Sequence, residues 1–305
     1  MYRRALQGNE KVWGPEHTST LDTANNLGDL YANQGKLLKA AQMYQWALQG
    51  YEKACGLEHT TTLDTVNNLA TIYFDQGKLV EAEQMYQRVL QGKEKAWGLE
   101  HTSILDTVNN LGVLYVNQGK LAEAEQSYQR ALQGYEKSLG LEHTSTLNTV
   151  NNLGNLYKIQ GKLVEAERMY QRALQGKEKV WGLEHTSTLD TVNNLGILYA
   201  NQGKLVEAEQ MYQRALQGYA KASYTDNILS HIPALNTILN LGFLFERQAD
   251  IAKARPMYLM ALLGYTQTLG HDHAKSESLR NILIGLDTVT QNEAQVEIEA
   301  HKDDL

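Results

Sequence analysis

Apolar and small residues recur at helical spacing along nearly the whole chain. With Leu147 to Thr188 numbered 1 to 42, Leu147, Val150, Leu153, Gly154 and Tyr157 fall at positions 1, 4, 7, 8 and 11. Steps of three and four residues place them on one face of a helix. Gln160-Gly161-Lys162 then interrupts the pattern, as expected where a glycine ends a helix. A second stripe follows at positions 17, 20, 24, 27 and 28, namely Leu163, Ala166, Tyr170, Ala173 and Leu174. Gly182-Leu183-Glu184-His185 closes it, and Thr186 or Ser187 is placed to cap the next helix by accepting a backbone N–H. No segment alternates with period two, so no strands are expected.

The whole pattern repeats. Met-Tyr-x-x-Ala-Leu begins at Met1, Met43, Met85, Ser127, Met169 and Met211 in steps of 42, with Val89 for Ala in the third copy and Ser127 for Met in the fourth. The next copy starts at Met257, a step of 46. His17, His59, His101, His143 and His185 keep the same step, and His231 and His273 follow a four-residue insertion after Gly218. Helix pairs of this length bury their apolar faces only by stacking on neighbours, which predicts an all-α fold, an α-solenoid. Residues 1–16 read as a half repeat holding only a second helix, 17–222 as five regular pairs, and 223–270 as a sixth, irregular pair with the insertion. Pro256 is expected to kink or shorten the last second helix. Residues 271–289 read as a capping helix, with polar Glu277 and Arg280 at positions 1 and 4, and 290–305 as an acidic tail, frayed or disordered. Because Met1 stands inside a second helix, the chain is expected to be a piece of a longer protein.

Asn109-Asn110-Leu111-Gly112-Val113-Leu114-Tyr115-Val116-Asn117-Gln118-Gly119-Lys120, with Ala124-Glu125-Gln126-Ser127-Tyr128-Gln129-Arg130-Ala131-Leu132 after it, resembles the tetratricopeptide repeat. That family's pattern is Leu-Gly-x-x-Tyr, then Ala-x-x-x-aromatic-x-x-Ala. A HEAT or armadillo stack has a similar period but not this small/aromatic spacing. A step of 42 rather than about 34 is similar to the kinesin light chain type. In that type Pro normally follows the Leu-Gly-x-x-His step, whereas Thr18, Thr60, Thr102, Thr144 and Thr186 follow it here. The near identity of successive units resembles the repeat tails of fungal NB-ARC or NACHT signalling proteins. The resemblance covers about residues 1 to 290. It implies a right-handed superhelix of helix pairs, first helices lining a concave groove, acting as a non-catalytic platform for proteins or peptides.

Differences between units point to that groove. Position 9 changes in every regular unit (Asp29, Thr71, Val113, Asn155, Ile197), and position 12 nearly as often (Ala32, Phe74, Val116, Lys158, Ala200). On a helical projection, positions 2, 5, 9, 12 and 13 lie opposite the 1-4-7-8-11 face. Beside them stands an unvaried row, Asn25, Asn67, Asn109, Asn151 and Asn193. An asparagine both donates and accepts, so a row of them suits the backbone of an extended peptide while varied neighbours choose its side chains. Drift on a solvated face, with asparagine ladders between repeats, would leave the same pattern. The candidate partner-binding residues are Asn67, Thr71, Phe74, Asn109, Val113, Val116, Asn151, Asn155, Lys158, Asn193, Ile197, Phe243 and Glu246. Asp22, Asp64, Asp106 and Asp190 at position 2, with Asp29 and Asp75, make this wall acidic, and Lys158 and Arg247 are its few counter-charges. The expected partner is therefore neutral to basic and partly apolar. The alternative role is a structural or sensor tail that self-associates or packs on an NTPase core.

Other signals read as structure. Trp13, Trp97 and Trp181 at position 35 go with Asn9, Lys93 and Lys177 at 31, while Tyr51, Tyr135 and Tyr219 at 31 go with Cys55, Leu139 and Ser223. One ring per unit is expected to fill a shared volume. Each Gly-Lys turn is followed by Leu, which rules out a phosphate-binding loop. One histidine per unit is too dispersed for a single metal ion, so the series is assigned to helix starts, and His271-Asp272-His273 to a turn. Glu81, Glu83, Glu123, Glu125, Glu165 and Glu167 read as a solvated face, and Cys55 has no candidate base nearby. No enzyme activity, cofactor or metal is expected. With 28 basic and 35 acidic residues the net charge is −7, against a nucleic-acid or anionic-membrane partner. No apolar run approaches the roughly 18 residues of a membrane span. One cysteine and no signal sequence lead to a cytoplasmic expectation.

Overall fold

The computed structural model describes residues 1–98, 101–222 and 228–303, with side chains as far as 288. Its helices are α1 (Tyr2–Trp13), α2 (Thr18–Asn33), α3 (Leu37–Cys55), α4 (Thr60–Asp75), α5 (Leu79–Trp97), α6 (Thr102–Asn117), α7 (Leu121–Ser138), α8 (Thr144–Ile159), α9 (Leu163–Trp181), α10 (Thr186–Asn201), α11 (Leu205–Ala222), α12 (Ile232–Arg247), α13 (Ile251–Leu269) and α14 (Ala274–Asp303). A 3-10 turn at Ile228–Ser230 precedes α12. No strand occurs among the described residues. Two compact units divide the chain, Met1–Leu156 and Tyr157–Leu305. The first holds α1, the antiparallel pairs α2/α3, α4/α5 and α6/α7, and most of α8; the second holds α9, the pairs α10/α11 and α12/α13, and α14.

A three-residue turn joins the first (A) and second (B) helix of each pair. Gly35, Gly77, Gly119 and Gly203 adopt φ of 68 to 78°. The next N–H reaches back to the tyrosine carbonyl of position 11, as in Lys36 to Tyr31 at 2.8 Å. This is a glycine-terminated helix end. In α12/α13 the same turn closes, Asp250 N–H on Phe245 O at 2.9 Å, but Ala249 stands in the glycine's place at φ 57°.

Each A helix buries two faces. Positions 1 and 4 meet the unit's own B helix: Leu189 and Val192 cluster with Ala215 and Tyr219. Positions 7 and 10 meet the preceding pair: Leu111 and Leu114 cluster with Ala70, Ala82 and Tyr86. Burying a leucine side chain contributes about 1.5–3 kcal/mol, so every unit depends on its neighbour within the stack. Position 8 is small because the position 24 tyrosine crosses it. A Cβ on Gly112 or Gly196 would stand 2.6 Å from the ring of Tyr128 or Tyr212.

Several expectations change. The helix cap is the histidine, not the following Thr or Ser: Nδ1 of His17, His59, His101 and His185 accepts the backbone N–H two residues on, at 3.2 to 3.3 Å. Imidazole supplies the acceptor that Ser or Asp gives elsewhere, while Thr20, Thr62 and Thr146 reach back to glycine carbonyls at 2.8 Å. His273 caps α14 in the same way through Lys275 N–H. The tryptophans do not share the tyrosines' volume. Tyr51, Tyr135 and Tyr219 are buried, and where Lys93 and Lys177 replace tyrosine the buried filler is the lysine stem. Trp13, Trp97 and Trp181 lie outside it, packed on the capping His17, His101 and His185 at 4.6 to 5.1 Å, the first and third pairs stacked and the second tilted. Ser223 and most of the insertion, residues 223–227, lie outside the described residues. Pro256 does not shorten α13, which has 19 residues like α3, α5 and α9; the carbonyl that loses its donor, on Ala252, lies in the exposed first turn. α14 runs past 289 to Asp303. It buries Leu279, Leu283 and Leu286 at positions 3, 7 and 10, and leaves Glu277 and Ile284 exposed at positions 1 and 8.

The position 21 glutamates also differ from a solvated face. Glu83 accepts from Gln118 at 2.9 Å and Lys120 at 3.0 Å in the next turn, and Glu167 likewise from Gln202 and Lys204. Burial alone would raise the Glu83 pKa, but these bonds outweigh it and hold the carboxyl below its ordinary range. Ala41 occupies position 21 of the first full unit, and the buried Nε2 of Gln76 has no acceptor among the described residues.

Three stability measurements follow from this packing. Ala249→Gly relieves a left-handed alanine and is expected to raise the chemical-denaturation midpoint, by about 1 kcal/mol. Ala41→Glu supplies the acceptor that Gln76 lacks and is expected to add roughly 0.5–1.5 kcal/mol, a gain lost in the Ala41→Glu/Gln76→Ala double variant. Burial lowers the Lys177 pKa to about 8 from 10.5. Between these values the unfolded chain binds a proton that the folded chain does not, so stability rises with pH across that window. Lys177→Met is expected to be more stable at pH 7 and to lose this rise; an unchanged slope would refute the assignment.

Candidate functional site

Positions 2, 5, 9, 12 and 13 of the A helices form the face left open by the two buried ones, except that Ala200 at position 12 of α10 is buried. Position 13 is exposed in every A helix from α2 to α12. The position 2 aspartates are bound to their own B helices. Tyr51 donates to Asp22 at 2.5 Å, Tyr219 to Asp190 at 2.6 Å, Tyr135 to Asp106, and Lys93 pairs with Asp64 at 2.6 Å. The acidic wall expected from sequence is thus partly a set of A–B clasps, with Asp64 neutralised by Lys93.

The asparagine row is half-buried and does form a ladder. Asn25 Oδ1 accepts from Thr65, Asn67 from Thr107, and Asn109 from Thr149, at 3.4, 3.3 and 3.1 Å. Each threonine is the buried position 3 residue of the next A helix. In the second unit Asn193 accepts from Asn240 Nδ2 at 3.1 Å. The acceptor half of each of these residues is therefore committed to the stack. The Nδ2 donors of Asn25, Asn67 and Asn109 have no partner among the described residues. Asn151 and Asn155 are half-buried on α8.

Position 9 sits over the position 24 tyrosine. Because that ring passes across a small residue at position 8, glycine or, in α4, Ala70, its hydroxyl emerges on the A-helix face. Tyr44 donates to Asp29 at 2.5 Å, Tyr86 and Thr71 are 2.9 Å apart, and Tyr258 donates to Glu246 while its ring meets Phe243 edge-on at 5.5 Å. Where position 9 is Val113 or Ile197, the Tyr128 and Tyr212 hydroxyls have no partner among the described residues, although these residues are only 3% and 2% exposed. Burial raises both pKa values, and at Tyr212 the charge of Arg247 opposes that rise.

The candidate residues are not all brought together. In the first unit Thr71 is exposed and Val113 and Val116 half-buried, while Phe74 packs on the Ala70, Ala82, Tyr86, Leu111 and Leu114 cluster. Burial lowers the pKa of the half-buried Lys158. In the second unit Ile197 and Phe243 line one cavity of about 160 Å³ between α10 and α12, with Tyr212, Arg247, Asn201 and Asn240. Sequence reasoning missed Tyr212, Asn201 and Asn240 and treated Arg247 only as a counter-charge. The signal was present in the glycine at position 8, which exists to admit the tyrosine. No three His, Cys, Asp or Glu side chains converge to hold a metal among the described residues. None of the described helices is long and apolar enough to cross a membrane.

Comparison with known proteins agrees with this architecture. Tetratricopeptide repeat profiles match residues 1–53, 61–137, 103–179, 145–221 and 234–275. No curated protein matches the sequence. A solved Podospora anserina protein, described as a putative kinesin light chain with nearly identical TPR-like repeats, is 24% identical, with 68% of this chain and 99% of that one covered and a TM-score of 0.57. BtubC from P. vanneervenii is 20% identical over 76% of this chain and 89% of its own, TM-score 0.59. The apo quorum sensor NprR from B. thuringiensis is 16% identical over 93% and 81%, TM-score 0.64. At such identities the likeness concerns the fold. With profiles matching most of its length, the chain belongs to the tetratricopeptide repeat family, whose fold serves generally as a protein-interaction scaffold.

Proposed function

We propose that this chain is a non-catalytic scaffold binding an extended or flexible protein segment along the face of its A helices. The observation that carries this reading is the divided role of the asparagine row. Asn67 and Asn109 commit their carbonyl oxygens to the next helix and keep their Nδ2 donors unpaired. Evenly spaced donors held in place by a ladder suit backbone carbonyls of any sequence. Side-chain choice then falls to positions 9 and 12, with Thr71, Val113 and Val116 in the first unit and Ile197, Phe243 and Glu246 in the second. On α2, α4 and α6 these positions and position 13 carry Asp29 and Asp75 and no basic residue, which favours a neutral to basic, partly apolar segment there.

Asn67→Asp with Asn109→Asp keeps the oxygens that hold Thr107 and Thr149 and removes the donors. Peptides selected from a random display library against the whole chain are expected to bind this variant roughly tenfold or more weakly, with melting little changed. Equal affinity would refute the backbone-clamp reading. Failure to select any peptide, with mass rising with concentration in light scattering, would mark a self-associating spacer instead.

A further inference from the structure

We infer that the cavity between α10 and α12 is a pocket for one glutamate side chain of the bound segment. This deepens the scaffold reading and rests on it. The floor is Tyr212, 2% exposed, whose hydroxyl is a donor with no acceptor among the described residues. The ring is buried but the hydroxyl opens on the cavity, where a ligand acceptor can bond it. In other units the neighbouring side chain supplies that acceptor, Asp29 for Tyr44 and Glu246 for Tyr258. Ile197 at position 9 cannot, and it leaves the hydroxyl open.

The remaining wall specifies what enters. Arg247 projects from α12 and anchors one guanidinium nitrogen on the Ala200 carbonyl at 2.8 Å. Its charge acts on Tyr212, so it lies near the open hydroxyl, and a guanidinium has five N–H donors to share. Glu246 beside it is engaged by the Tyr258 hydroxyl. A charged donor and a hydroxyl donor at one spot select a carboxylate. Ile197, Leu244 and Phe243, the last 42% exposed, form apolar sides, and about 160 Å³ takes one mid-sized side chain. Two methylenes ending in a carboxylate match this order of apolar wall and polar floor, whereas a shorter aspartate would leave the floor unreached. The reversed pattern of an acid at position 9, as Asp29 has, would repel the same group.

The test uses the whole chain, with Tyr212 ring carbons and the Arg247 Nε–H followed by NMR during titration with acetyl-Ala-Glu-Ala-amide, acetyl-Ala-Gln-Ala-amide and acetyl-Ala-Ala-Ala bearing a free carboxyl terminus. The glutamate peptide is expected to give saturable shifts of both signals, with affinity about tenfold above the glutamine peptide. Tyr212→Phe and Arg247→Gln are each expected to abolish saturation. Tyr212→Phe should also melt like the parent, because its hydroxyl bonds nothing in the protein, whereas Tyr258→Phe should melt lower. Equal binding of the glutamine peptide, undiminished binding to Tyr212→Phe, or no saturable shift would overturn the pocket. Tighter binding of the free carboxyl terminus would overturn its assignment to a side chain. If these fail while display-selected peptides still lose affinity on the Asn67/Asn109 variant, the pocket is wrong and the scaffold reading stands.

Discussion

The contact of a tyrosine ring on a glycine backbone sets both the packing and the candidate site. At position 8 of an A helix, a Cβ would stand 2.6 to 2.7 Å from the ring of the position 24 tyrosine in four of the units. Contact at that range fixes how closely the two helices approach, and interiors packed to crystal-like density leave little slack to absorb a change. The ring reaches across the A helix because the residue there is small, glycine in these units and Ala70 in α4. Its hydroxyl therefore arrives on the outer face beside position 9, and one small residue converts a core contact into a surface chemistry.

The polar groups of the repeat divide in a similar way between holding the stack and facing outward. The asparagine at position 5 gives its oxygen to the next helix, and the glutamate at position 21 grips the next turn. The aspartate at position 2 clasps its own B helix. Each network crosses a helix interface that apolar packing alone would leave without a fixed register. Among the described residues, the Nδ2 donors of Asn25, Asn67 and Asn109 and the tyrosine hydroxyls beside Val113 and Ile197 stay outside these networks.

Much of this was legible in the sequence. The 42-residue step and the glycine-ended turns follow from composition and spacing, because such local features need no knowledge of a neighbour. The histidine series was placed at helix starts, although the capping atom was assigned to the wrong residue. Positions 3 and 10 were not read as buried, because one helical stripe explains only one contact face and the second is defined by the preceding repeat. The tryptophan and tyrosine alternation was visible as a pattern, yet its meaning was reversed: a lysine fills the buried space, with the Lys93 ammonium bonded to Asp64 and Ser103 and that of Lys177 to the Ser187 carbonyl, partners that residue type does not reveal.

The same limit applies to the candidate site. Variation between near-identical copies located the open face and singled out position 9. The chain alone determined a stack of helix pairs, the turn chemistry and the set of positions free to differ, since these depend on helical periodicity and backbone conformation. Only the tertiary structure decided which half of each asparagine is already bonded, which aspartates are clasped, and which tyrosine hydroxyls lack a partner. A hydrogen-bond partner is a neighbour in space, and residues 29 or 40 apart in sequence become neighbours only once the helices are packed.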